Sequence, residues 1–95
     1  MRENNRENAS DVSHEKRKST LSMMGLPFNV TKREIIKFFD EYDLRESDIN
    51  LIWSKGRFSG KATVTFADER DAQRALKTKN RAYIGSRYIE LFEYR

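Results

Sequence analysis

Apolar and polar residues alternate most cleanly over Lys61-Ala62-Thr63-Val64-Thr65-Phe66. A strand here points Ala62, Val64 and Phe66 to one face and Lys61, Thr63 and Thr65 to the other. One face must be buried, and the other is able to meet a polar partner. Leu21-Ser22-Met23-Met24 alternates more weakly, with Leu21 and Met23 inward and Ser22 and Met24 outward. Gly25-Leu26-Pro27 stops that strand, because proline offers no donor to a ladder. Ile49-Asn50-Leu51-Ile52-Trp53 is rich in β-branched and aromatic residues and reads as a further strand, with Ile49 and Leu51 facing in. Trp53, at its end, either finishes the core or stands exposed. Lys55-Gly56-Arg57-Phe58-Ser59-Gly60 then reads as a glycine-rich, basic hairpin loop. Tyr83-Ile84-Gly85 is a short extended piece and a turn. Arg87-Tyr88-Ile89-Glu90-Leu91-Phe92 is the last strand, with Ile89 and Leu91 inward.

Between the strands the period lengthens. Thr31-Lys32-Arg33-Glu34 has the form of a capping box. Ile35, Phe38, Phe39 and Tyr42 follow at i, i+3, i+4 and i+7, one helical face that reads as core. Lys37, Asp40 and Glu41 take the other face, and Leu44 closes the turn. Asp68 is the N-cap of a second helix, with Glu69 and Asp71 in its first turn. Ala72, Ala75 and Leu76 give that helix a narrow apolar stripe suited to close packing on a sheet. Lys77, Lys79 and Arg81 crowd its C-terminal end, where cations suit the dipole. The order β-α-β-β-α-β with right-handed crossovers predicts an α+β, ferredoxin-like fold. Both helices cover one face of a four-stranded antiparallel sheet and leave the other open.

Residues 1–19 hold almost no large apolar side chains and are expected to be a disordered polar tail, leaving residues 20–95 as one domain. The tail ends in the basic cluster His14-Glu15-Lys16-Arg17-Lys18, suited to touching phosphate, to an import signal or simply to solubility. With no cysteine and one histidine, His14, in a polar stretch, no catalytic residue, metal site or cofactor is expected. Carboxylates such as Asp40 and Glu41 lie on a solvated helix face, so an enzyme with a small-molecule substrate is not expected. No apolar run nears the roughly 20 residues that a membrane span needs, and no charged-then-apolar leader is expected. Asn29-Val30-Thr31 fits a glycosylation sequon that reads as accidental without a secretory signal. The net charge of +4 is compatible with a polyanionic partner.

The pattern resembles an RNA recognition motif (RRM) across residues 20–94. Leu21-Ser22-Met23-Met24-Gly25-Leu26 stands where that family keeps its first-strand motif, and Ser59-Gly60-Lys61-Ala62-Thr63-Val64-Thr65-Phe66 where it keeps its third-strand octamer. The family stacks bases on aromatic residues of those motifs. Here the matching positions are Ser22, Lys61 and Thr63, and none of them is a ring. A narrower resemblance, to the quasi-RRMs of heterogeneous nuclear ribonucleoproteins F and H and the G-rich sequence factor, rests on four stretches. These are Gly25-Leu26-Pro27-Phe28, Ile35-Ile36-Lys37-Phe38-Phe39, Gly56-Arg57 with Ser59-Gly60-Lys61-Ala62, and Ile84-Gly85-Ser86-Arg87-Tyr88-Ile89-Glu90-Leu91-Phe92. It implies binding of single-stranded, G-rich RNA through loops rather than the sheet face. By this resemblance Phe28 is the loop aromatic, Arg57 the basic hairpin residue, and Arg87 with Tyr88 the basic–aromatic pair. Met24 stands where relatives often carry arginine, so one guanidinium is missing.

The residues themselves agree with that picture. The first loop, the hairpin and the segment before the last strand are expected at neighbouring edges. There they gather Phe28, Phe58 and Tyr88 with Lys55, Arg57, Lys61, Arg81 and Arg87, rings for bases and charges for phosphates. Packing is the alternative role for these rings: Phe28 and Tyr88 on loop backbone, Phe58 on Trp53. The expected function is a single-stranded RNA-binding module in RNA processing or regulation. Sister domains or other ribonucleoprotein proteins are expected partners, and a nuclear site is expected over a cytoplasmic or organellar one. The alternative is a protein-interaction module that offers Met24, Trp53 and Phe92.

Overall fold

The computed structural model describes residues 18–94. The expected disordered tail and its basic cluster lie outside the described residues, apart from Lys18 and Ser19. Ser19 is buried, and its carbonyl accepts the Phe66 N–H at 2.8 Å.

The sheet forms where period-two alternation was read. Strand β1 (Thr20–Met24) buries Leu21 and Met23, and β3 (Arg57–Thr65) buries Ala62 and Val64, followed by Phe66 just past its end. With β2 (Ile49–Ser54) and β6 (Glu90–Glu93) they make one antiparallel sheet in the order β2-β3-β1-β6. The open face carries cross-strand rows. Asn50, Thr63, Ser22 and Phe92 form one, and Ile52, Lys61, Met24 and Glu90 the next.

Helix α1 (Lys32–Phe38) starts at the expected box: the Glu34 N–H donates to Thr31 Oγ1 at 3.2 Å, and the Thr31 N–H to Glu34 Oε1 at 2.9 Å. It is shorter than the apolar stripe. Phe39 is its C-cap, and Tyr42 reaches the core from the turn beyond. There Phe39 and Tyr42 both meet Phe66 edge-on, each with centroids 5.2 Å apart. Helix α2 (Glu69–Lys79) is capped by Asp68, whose Oδ1 accepts the Asp71 N–H at 2.9 Å. Its Ala72 and Ala75 are fully buried, as close helix–sheet packing requires. Arg74, on the far side, donates its Nε–H to the Tyr42 hydroxyl at 3.3 Å, a bond that holds its guanidinium yet more firmly protonated.

Two expectations are corrected. The stretch Gly56–Gly60 is not a loop. The turn is only Lys55-Gly56, both at positive φ (53° and 78°), as a tight type I′ hairpin needs. Arg57 to Gly60 already belong to β3. A bulge at Ser59-Gly60 shifts the register, so that Ile52 pairs with Lys61 but Trp53 with Phe58. Ser59 Oγ fills it, donating to the Ile52 carbonyl at 2.6 Å and accepting the Lys61 N–H at 3.2 Å. Nor is Arg87–Phe92 one strand. It breaks at Ile89, and β5 (Arg87–Tyr88) folds back on β4 (Tyr83–Ile84) as a separate hairpin over Gly85-Ser86. The break lets the Ile89 side chain sink into the core while its N–H donates to the Ala82 carbonyl at 2.8 Å. Past it, the N–H of Leu91 on the sheet edge is taken by Asn80 Oδ1 at 2.9 Å, which keeps that edge donor satisfied.

Candidate nucleic-acid interface

Two residues after β1 tie three connections together. The Leu26 N–H donates to the Gly60 carbonyl at 3.0 Å, fixing the β1–α1 loop to the bulge of β3. Gly25 lies against β5: a Cβ there would be 3.0 Å from the Tyr88 carbonyl oxygen. The β1–α1 loop thus touches the β3 bulge and β5 at one rim of the sheet. Gly25 also sits at φ +88°, so Gly25→Ala is expected to lose about 1–2 kcal/mol to left-handed backbone alone. It should also push Tyr88 off the loop. A thermal melt and an RNA titration of this variant are expected to fall together. A loss of only about 1–2 kcal/mol with RNA binding intact would show that the contact with Tyr88 yields freely, and a variant as stable as the parent would overturn the backbone cost as well.

The loop presents its aromatic residue by anchoring both sides. Leu26 and Val30 are buried, the Val30 N–H closes a turn on the Pro27 carbonyl at 3.1 Å, and Phe28 at the tip is 78% exposed. Tyr88 is half exposed on β5. Phe58 differs: it is partly buried against the core, and its ring lies 5.7 Å from that of Trp53, the packing role that the sequence left open. Trp53 itself is exposed beyond the bulge. It therefore does not join Met24 and Phe92, which lie in adjacent rows of the open face.

The cations divide by surroundings. Arg57 follows the hairpin turn, Lys61 projects from the open face between Ile52 and Met24, and Arg87 is on β5; all three are exposed. Arg81 is exposed after α2 at φ +71°, its N–H held by the Ile89 carbonyl at 2.7 Å. Among the described residues none of the four is in an ion pair; the pair present joins Arg74 to Asp71 on α2. Lys79, at the C-terminal end of α2, turns its Nζ to 6.0 Å from the centroid of the Phe38 ring. Tyr83, to which the sequence reading gave no role, faces Tyr88 across the small hairpin with centroids 6.3 Å apart. Its signal was the spacing of two tyrosines about Ile84-Gly85-Ser86-Arg87, which reads as a two-residue turn once the last strand is allowed to break. The sheet centre is polar at Ser22, Lys61 and Thr63, with Ser22 and Thr63 directly paired. No group of acidic, histidine or cysteine side chains among the described residues is arranged to hold a metal ion.

Residues 21–95 match the family described as RRM domain. The chain is 42% identical over 72 residues to heterogeneous nuclear ribonucleoprotein H of Mus musculus and Homo sapiens, covering 75% of this chain and 16% of that protein. Heterogeneous nuclear ribonucleoprotein F of Bos taurus is 37% identical over 87 residues, 90% of this chain and 20% of the relative. The chain thus spans a fifth or less of the length of these curated relatives. Among solved structures, G-rich RNA sequence binding factor 1 from Homo sapiens superposes with a TM-score of 0.74 at 32% identity, covering 80% of this chain and 79% of that one. The Glorund qRRM2 domain gives 0.74 at 35% identity, covering 80% and 88%. The match runs from the first sheet strand to the last residue, on a sheet of the expected topology, and the chain belongs to the RRM family.

Proposed function

We propose that this domain binds single-stranded RNA along the rim where its three connections meet, and not on the centre of its sheet. The observation that carries the reading is the double tie at Gly25 and Leu26. It holds the loop of exposed Phe28 against the β3 bulge and the Tyr88 carbonyl, and the same β3 and β5 carry Arg57, Lys61 and Arg87, which with Arg81 are the cations the proposal assigns to phosphate. A single strand needs rings for its bases and cations for its phosphates, and each stacked base is worth about 1–3 kcal/mol. The rim supplies both, whereas the sheet offers Ser22, Lys61 and Thr63 where rings would have to be. A preference for G-rich RNA is part of the proposal, supported by the likeness to a G-rich RNA sequence binding factor. So is a nuclear setting, supported by relatives that are nuclear ribonucleoproteins by name. A rim of this size holds few nucleotides, so sister domains or other ribonucleoprotein components are expected to add affinity by linkage.

Titration with short G-rich and U-rich RNAs at two salt concentrations, followed by backbone amide shifts, tests the reading. Shifts are expected around Phe28, Arg57 and Tyr88, leaving Ser22 and Thr63 largely unmoved. With about three phosphates neutralised, the logarithm of the binding constant should fall against that of salt with a slope near −2. No binding of either RNA at about 20 mM salt, where the ionic contribution is strongest, would sink the proposal and leave protein docking.

A further inference from the structure

We propose that the RNA path continues past Tyr88 onto Tyr83 and into the cleft between the β4–β5 hairpin and α1, which forms a further nucleotide subsite. This rests on the rim reading above and extends it by one residue type and one region. Tyr83 and Tyr88 are directly paired across the hairpin, so the backbone fixes their spacing. Their rings stand 6.3 Å apart and tilted by 53°. Gripping one base between two rings needs parallel planes about 7 Å apart, twice a contact distance of roughly 3.5 Å. This pair is too close and too tilted for that, and each ring keeps a face for a base of its own. Tyr83 is 65% exposed, more than Tyr88 itself. A solvent-facing ring of that size beside a second one is a stacking surface in search of a planar ligand.

What lies beyond Tyr83 suits the rest of a nucleotide. A cleft of about 360 Å³ is lined by Tyr83, Ile84 and Gly85 on one side and by Glu34, Lys37 and Phe38 on the other. Lys37 lines it directly, and Lys79 leans over the Phe38 ring from α2. These are two cations on an apolar floor. The one acid of the lining, Glu34, already accepts from the Thr31 N–H and faces the Thr31 hydroxyl at 3.4 Å, inside the capping box. Lys37 offsets the Glu34 carboxylate within the lining, so Lys79 beside the Phe38 ring leaves one positive charge in excess for a phosphate. The cleft opens on Tyr83, the ring beside Tyr88, and is thus continuous with the rim. A phosphodiester strand reaching Tyr88 meets Tyr83 next, then the two cations about Phe38.

The test compares a G-rich RNA tetranucleotide with a G-rich octanucleotide on the whole chain. Tyr83→Leu keeps an apolar strand residue and removes the ring. It is expected to leave the tetranucleotide unchanged and to weaken the octanucleotide by roughly 5- to 150-fold, the range of one stacked base. Tyr83→Phe restores octanucleotide binding. Lys37→Gln is expected to make the octanucleotide salt slope shallower by about 0.7, one phosphate on a single strand. Equal affinity of parent and Tyr83→Leu for the octanucleotide overturns the subsite. So does an equal loss for both lengths, which would mark Tyr83 as mere support for the hairpin. The rim fails separately, if alanine at Phe28, Arg87 and Tyr88 leaves the tetranucleotide bound as tightly as before.

Discussion

Replacing Phe28, Arg87 and Tyr88 together by alanine is expected to lower RNA affinity ~100-fold or more while the domain stays folded. Two exposed rings are removed, each able to stack one base for about 1–3 kcal/mol, along with one cation able to meet phosphate. Contacts within one small site do not add simply, so the lower half of the summed range is the better guide. Stability should hardly change. Phe28 is 78% exposed at a loop tip, and Tyr88 is half exposed on a two-residue strand. Surface changes of this kind usually stay within about 0.5 kcal/mol. Fluorescence anisotropy with a labelled RNA reads the first effect and a thermal melt the second. A folded triple variant that binds as the parent does would remove the rim from consideration.

Phe39→Ala is expected to do the reverse, acting through the fold alone. The ring is fully buried, meets Phe38 edge-on at 4.8 Å and Phe66 edge-on at 5.2 Å, and sits where α1 ends over the sheet. Removing a buried phenylalanine ring loses about 3–5 kcal/mol, from transfer and from the cavity left behind. A domain of about 75 residues has only ~4–11 kcal/mol in total. The midpoint of thermal unfolding should therefore fall by roughly 15–30 °C. Any RNA affinity left at low temperature should match the parent's. A fall of less than about 5 °C in the melt would mean that the three rings are not the keystone of this core. The two phenylalanines thus separate site from scaffold: one exposed at a loop tip, the other locked in the core.

The fold was legible because its signals are local and repeat. Alternation over Lys61 to Phe66 marks a half-buried strand whatever lies next to it, and the Thr31–Glu34 box needs only its own four residues. The errors fall where a local pattern was interrupted by a distant partner. Gly56 and Gly60 read as one loop because glycine marks turns and bulges alike. Only the pairing of Trp53 with Phe58 distinguishes a two-residue turn from the bulge that follows it. Arg87 to Phe92 alternates without a flaw, yet Tyr88 answers to Tyr83 and Leu91 to Met23, and the strand breaks between its two masters.

The candidate site divides along the same line. The sequence by itself determined which face of the sheet is buried, that Ser22, Lys61 and Thr63 leave its open centre without a ring, and that aromatic and cationic residues crowd the connections. Those follow from side-chain identity and period. Only the tertiary structure decided which of them stand together. Leu26 bonded to Gly60, and Gly25 pressed on the Tyr88 carbonyl, gather three separate stretches at one rim. Phe58 is drawn back towards Trp53, and Tyr83 is brought beside Tyr88. For the rim, the physical reason is that backbone contacts between residues 34 to 63 positions apart depend on how the whole sheet closes, which no window of the chain contains; the two ring pairs are near in sequence, and where the bulge and the strand break fall decides them.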